Sequence, residues 1–266
     1  MKLIDSGPFS LAGRGVVVTG GGGHVGAAIA LAASAAGATV VVGGRHLEPL
    51  EAVVRSAAQL ELPGRVVAVV ADVAEARGLE ALLDRVGAEA GSVDGWVNNA
   101  YTGPMASFDR GTRRDFEASL TAGLTDAMLA SQAAAAGMGE RGGSIINIGS
   151  MYGIVSPQPR AYGAHPEFHS PPAYGAAKAG LIQFTRYAAV HLAPKGIRVN
   201  AISPGPFPSP VVQESADFIT ELNARVPLGR IGRPEELGPP AVFLLSDASS
   251  YVTGHNLIVD GGWTAW

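Results

Sequence analysis

Residues 15–44 read GVVVTGGGGHVGAAIALAASAAGATVVVGG. A short β-branched run, GVVVTG (15–20), meets a loop of glycines, then an alanine-rich stretch with helical spacing, then a second β-branched run, TVVVGG (39–44). Strands apolar on both faces and separated by a helix predict parallel strands covered on both sides, joined by a right-handed crossover. The loop, Thr19-Gly-Gly-Gly-Gly-His-Val-Gly26, lies between strand and helix. Glycines there let the backbone approach a pyrophosphate, and the helix N-terminus adds free N–H groups and a favourable dipole. A dinucleotide site is the reading.

The alternation continues outward. Further β-branched runs lie at 65–72, 93–99, 143–150, 196–205 and 256–262, and helical spacing recurs over 24–36, 48–61, 75–90, 112–137 and 173–193. The fold expected is α/β, a single-domain doubly wound parallel sheet flanked by helices on both faces. No linker or repeat divides the 266 residues, so one domain spans 1–266. Proline and glycine concentrate at 153–172 and 203–210, each following a strand, where pocket walls form in such sheets.

With 47% apolar and 16% charged residues, the chain has the makings of a packed core. A net charge of −4 without any basic run argues against a nucleic-acid partner. The absence of cysteine excludes disulfides and thiolate chemistry. The N-terminal MKLIDSGPFS has no apolar signal core and no run reaches spanning length, so a cytoplasmic protein with no membrane partner is expected.

Carbonyl reduction by hydride needs an acid for the developing alkoxide. The phrase AYGA occurs twice, around Tyr162 and Tyr174. Tyr174 has Lys178 four residues later on a convincing helix, where a cation would lower the phenol's pKa. Tyr162 has Pro166 at that offset, so Tyr174 is chosen.

Thr19, Gly20 and Gly26, with the Tyr174–Lys178 pair, resemble the pattern of the short-chain dehydrogenase/reductase family, and residues 10–262 follow it. His24 replaces the middle glycine of that family's TGxxxGxG loop. The resemblance implies catalytic Ser150, Tyr174 and Lys178, with Ser150 holding the substrate oxygen at a strand end. It implies cofactor contacts from Thr19, Gly20, Gly22, Gly23, His24, Val25, Gly26, Asp72, Val73, Asn98, Ala100, Pro204, Gly205, Phe207 and Ser209, as well as Tyr174 and Lys178. Tyr101 replaces the glycine that ends the family's NNAG, and Gly123 stands where the family carries a proton-relaying asparagine. Arg45, after Gly43-Gly44, suits a 2′-phosphate, so NADP(H) is favoured, with NAD(H) the alternative.

Ser150 and Tyr174 are 24 residues apart, about twice the family's usual gap, with an insertion at about 158–172. A subgroup of sugar-modifying and aldonate-type reductases has a similar insertion, which hints at a polyol-like or amino-sugar substrate. His165 and His169 flank Pro166 without a carboxylate cluster, so no metal site is expected. The insertion and a loop at 206–226 should line the pocket for a small ketone or alcohol. The resemblance also implies a homodimer or homotetramer built on the long helices and last strand, with Trp263 and Trp266 on a neighbouring subunit. Overall it implies an NAD(P)(H)-dependent oxidoreductase interconverting a carbonyl and a secondary alcohol. The alternatives are a cofactor-binding sensor and a dehydratase or epimerase.

Overall fold

In the computed structural model, described over residues 7–159, 162–163 and 165–266, seven parallel strands form one sheet in the order β3-β2-β1-β4-β5-β6-β7. The strands are β1 (Gly15–Thr19), β2 (Thr39–Gly44), β3 (Arg65–Val70), β4 (Gly95–Asn98), β5 (Gly143–Ile148), β6 (Ile197–Pro204) and β7 (Asn256–Val259). Residues 160, 161 and 164 of the expected insertion and 1–6 of the N-terminus lie outside the described residues.

Strand side chains alternate faces, and the valines sort accordingly. Val16, Val18, Val40 and Val42 join a core with α1 (His24–Ala35) and α2 (Leu47–Gln59). Val17 and Val41 face the other way, onto α3 (Ala76–Ala90). Further along the chain, α9 (Gly238–Leu245) completes the first layer, while α5 (Asp126–Met138) and α6 (Pro172–Leu192) complete the second. The sheet is thus buried on both faces, as its continuous β-branched runs require.

The helix expected over 112–137 is interrupted. It starts at α4 (Arg113–Leu120), behind a capping box in which the Asp115 N–H donates to Thr112 Oγ1. A π-helical turn then spans Thr121–Thr125 before α5 begins. Gly123 explains the interruption: a Cβ there would lie 2.7 Å from the Ala177 Cβ of α6. The helices approach too closely for a side chain, and the extra residue of the π-turn fits the chain around that contact.

A buried polar chain ties the sheet to α6. Trp96 Nε1 donates to Asn98 Oδ1 (2.8 Å), Asn98 Nδ2 to Asn147 Oδ1 (2.8 Å), and Asn147 Nδ2 to Thr185 Oγ1 (2.9 Å). Thr185 Oγ1 donates in turn to the Leu181 carbonyl within α6 (2.8 Å). Asn98 and Asn147 are direct register partners across β4 and β5.

A third cluster lies apart from the sheet faces. Met151, Tyr152, Tyr162, Phe218, Leu222, Val226 and Trp263 are buried together. Two short helices belong to this region: α7 (Pro210–Gln213) and α8 (Ala216–Asn223), which supplies Phe218 and Leu222. Trp263, expected on a neighbouring subunit, packs here in its own chain. Asp260 holds the turn by accepting from Gly262 N and Thr264 N, both at 2.8 Å. Trp266 remains exposed.

Candidate active site

The sheet order reverses direction between β1 and β4, and ligands of such sheets bind where that happens. The carboxyl ends of these strands are stitched together. Thr19 Oγ1 donates to the Val97 carbonyl (3.1 Å) and accepts from the N–H of Asn99 (3.0 Å) and of Ala100 (3.2 Å). Asn99 Nδ2 donates to the carbonyls of Thr19 and Gly20, both at 3.0 Å. Thr19 is buried, so its part is to fix the loop.

Gly20 sits at φ +61°, a conformation that favours glycine, and a Cβ on Gly26 would meet the Gly20 carbonyl at 2.3 Å. Gly23 is the N-cap of α1, which has no capping side chain and no acidic residue in its first turn. Its free N–H groups therefore suit an anion. The cleft here is about 610 Å³, with Gly20, Gly22, Gly23, His24, Val25, Arg45, Asp72, Val73 and Ala100 on its walls, all expected positions. His24 Nε2 is buried without a hydrogen-bond partner among the described residues, and burial lowers the imidazole's pKa, so the side chain is held neutral. Arg45 is exposed and forms no ion pair among the described residues. The dimensions and donor set fit a nicotinamide dinucleotide.

An inner compartment of about 210 Å³ continues from this cleft, walled by Ser150, Tyr174, Lys178, Pro204, Gly205 and Phe207 among others. Ser150 caps the 3₁₀ turn Met151–Gly153, accepting from the Tyr152 N–H at 3.1 Å, and shares the compartment wall with Tyr174. Tyr174 and Lys178 project one turn apart from α6. The Lys178 ammonium donates to the Ile148 carbonyl (2.7 Å) and stands 5.6 and 5.7 Å from the ring centroids of Tyr101 and Tyr174. Burial lowers Lys178 to about 8. It also raises Tyr174, outweighing the lowering effect of the nearby Ser150 hydroxyl. The expected lowering of Tyr174 by Lys178 is therefore not what prevails: the ammonium lies over the ring while desolvation acts on the hydroxyl.

Two expected contact positions do not line these cavities. The Asn98 side chain is spent inside the protein, on Trp96, Asn147 and Ser131, and its neighbour Asn99 faces the cleft instead. Ser209 is exposed at the start of α7, outside the cavity walls. The important residue left without a role was Tyr101. It walls the cleft, the inner compartment and a third cavity, donates to or accepts from Ser119 Oγ (2.7 Å), and packs edge-on to Tyr174 at 5.0 Å. Its signal was the replaced glycine of the NNAG pattern.

The third cavity, about 440 Å³, opens beside Ser150 and Tyr174. Tyr162 is buried in its wall, its hydroxyl bonded to that of Tyr152, with no lysine partner. His165 stacks on Phe168 at 5.9 Å and His169 packs edge-on to Tyr162 at 5.2 Å, so both histidines belong to aromatic packing.

A family model described as enoyl-(acyl carrier protein) reductase matches residues 23–264. A short-chain type dehydrogenase/reductase from Mycobacterium marinum superposes with a TM-score of 0.86 at 32% identity, covering 97% of this chain and 98% of that one. The chain belongs to the short-chain dehydrogenase/reductase family. It is an NAD(P)-dependent oxidoreductase, and the comparisons favour neither non-redox alternative. This short-chain dehydrogenase/reductase is also 38% identical over 259 residues to cis-4-hydroxycyclohexanecarboxylate dehydrogenase of Sinomonas cyclohexanicum, across 96% of the chain and 98% of that protein. A putative NAD(P) dependent gluconate 5-dehydrogenase from Beutenbergia cavernae, with bound NADP, is 35% identical with a TM-score of 0.84, covering 98% of this chain and all of that one. No helix among the described residues is long and apolar enough to cross a membrane.

Proposed function

We propose that this short-chain dehydrogenase/reductase interconverts a small ketone and its secondary alcohol with NADP(H) as the preferred cofactor. The observation that carries the reading is the convergence of Ser150, Tyr174 and Lys178 on one compartment continuous with the glycine-loop cleft. When bound, the cofactor supplies or accepts hydride.

The residues supply everything else. The N–H groups of the first turn of α1 hold the pyrophosphate. Arg45 accommodates the 2′-phosphate, for which no carboxylate competes in Gly43-Gly44-Arg45-His46. Ser150 orients the substrate oxygen, and Tyr174 donates a proton to it in reduction. Burial keeps Tyr174 protonated, which is the state reduction requires. The Lys178 ammonium holds the ribose and favours the transient phenolate.

Exposed Leu120, Met128 and Leu129 on α4 and α5, with Tyr187 and Val190 on α6, support assembly into a dimer or tetramer. Two of the relatives named above point to different substrates, one a hydroxylated ring carboxylate and one a sugar acid.

The test is a pair of titrations, NADPH and NADH, followed by NADPH oxidation assays on ketones with the Tyr174→Phe variant as control. Tighter NADPH binding and a turnover loss of at least a thousandfold in the variant, with cofactor affinity retained, are expected. Tyr162→Phe should keep most of its turnover. Loss confined to the Tyr162 variant would overturn the assignment.

A further inference from the structure

The cavity beside Ser150 and Tyr174 is an aromatic chamber. Its walls include Met105, Met151, Phe168, Phe207, Val212 and Phe218, contributed by five separate segments of the chain. The rings pack on one another, Phe168 on Phe218 at 4.9 Å and Tyr162 on Phe218 at 5.5 Å. This is a built wall, continuous with the buried cluster that Trp263 closes.

Its polar inventory is short. Ser150 and Tyr174 are committed to the reacting oxygen in the function proposed above. Tyr152 and Tyr162 bond each other hydroxyl to hydroxyl, and burial raises both phenols, so each keeps its proton. Only one of those two protons can lie between the oxygens, so the pair offers a ligand one donor, and among the described residues the Ser170 hydroxyl adds a second. Among the described residues the one charged wall residue is Glu167, whose sign opposes an anionic ligand. Arg225 is held by Glu221 and by Gln158 and is not part of the wall.

A polyhydroxy substrate would lay several hydroxyls against mainly aromatic and aliphatic walls, and each hydroxyl left unpaired there opposes binding. A sugar acid would add a carboxylate facing Glu167. A ring with a hydrocarbon body would fill the chamber and lie against aromatic faces. We infer that this short-chain dehydrogenase/reductase acts on an uncharged alicyclic or aryl ketone, or its alcohol, with Tyr162 and Phe218 selecting for the ring. The inference rests on the redox function proposed above and replaces the polyol-like substrate suggested by the insertion. The insertion's contribution is aromatic: Tyr162, Phe168 and the two histidines packed against them.

Binding and turnover are measured separately, so that the two ideas fail separately. Calorimetric titration of the full chain uses acetophenone, D-fructose and 5-keto-D-gluconate as probes, and NADPH oxidation is followed with the same three. Acetophenone should bind at least tenfold more tightly than either sugar compound, and its kcat/KM should exceed theirs at least a hundredfold. Phe168→Ala, a partly buried position, should weaken acetophenone binding about tenfold while leaving NADPH affinity within error. Equal or tighter binding of D-fructose or 5-keto-D-gluconate would overturn the ring assignment. Preferred binding of acetophenone without turnover of any probe would leave the chamber's selectivity standing and overturn the ketone reduction proposed above.

Discussion

The ring of Tyr101 occupies the ground that a side chain at position 123 would need. A Cβ built on Gly123 comes within 3.2 Å of Tyr101 Cε2, as well as 2.7 Å of the Ala177 Cβ. Two departures from the family pattern are thus one arrangement: the aromatic ring enters where the relay side chain is missing. The ring in turn faces the Lys178 ammonium at 5.6 Å, within range of a cation–π attraction.

Restoring asparagine at position 123 should therefore harm the protein. Gly123→Asn is expected to lower stability by about 1–3 kcal/mol through overpacking. Combining it with Tyr101→Ala should recover part of that loss, and Ala177 accounts for the remainder. A double-mutant cycle in urea reads the coupling directly. Strict additivity would mean that the two positions do not share space.

Lys178 makes a signed pH prediction. Its folded value of about 8 lies below the usual 10.5, so between those limits the unfolded chain binds more protons and stability rises with pH. Above about 10 the raised Tyr174 acts in the opposite sense, because the unfolded phenol ionises first. The rise should vanish in Lys178→Met, as denaturation midpoints between pH 8 and 10 would reveal. NADPH affinity should move the other way, weakening above pH 8 by up to about tenfold per unit as the ammonium is lost.

Asn98 and Asn99 should separate cleanly. Replacing Asn98 by alanine orphans Trp96 Nε1 and the Asn147 amide, at about 1–3 kcal/mol for each buried group. Its chief readout is the denaturation midpoint. Replacing Asn99 by alanine frees the carbonyls of Thr19 and Gly20, and its chief readout is a raised Kd for NADPH. If both variants changed only stability, Asn99 would have no part in presenting the loop.

Arg45→Ala should cost NADPH affinity roughly tenfold to a hundredfold, the range of a charge-assisted hydrogen bond, and leave NADH affinity unchanged. Paired titrations settle it. An equal effect on both cofactors would make Arg45 a general electrostatic residue.

Most of the fold was legible because it rests on short-range signals. The β-branched runs, the glycine loop and the Tyr174–Lys178 spacing are all local, and the structure places each where the pattern demands. What escaped depends on neighbours distant in sequence. The π-turn at Thr121–Thr125 arises from Ala177 on another helix, which no window around Gly123 contains. Of the two asparagines in the NNA phrase, the strand's pleat and its partners in β5 decide which one turns inward. The proline at its helical offset, Pro166, is the local signal that separates Tyr162 from Tyr174. The burial of Tyr162 against Phe218 could not be foreseen, because that contact joins segments more than fifty residues apart.

The chain of amides from Trp96 to α6 also acts as a key for strand alignment. Strands made of valine and isoleucine present nearly the same surface after a slip along their length, so hydrophobic burial alone aligns them weakly. A slip of one residue between β4 and β5 would set Asn98 beside Ile146 or Ile148 and leave its amide, the Asn147 amide and the indole N–H without partners. Misaligned sheets are thus penalised at their centre. Because the key ends at Thr185, the alignment that closes the sheet also sets the rotation of α6, and with it the direction in which Tyr174 and Lys178 point.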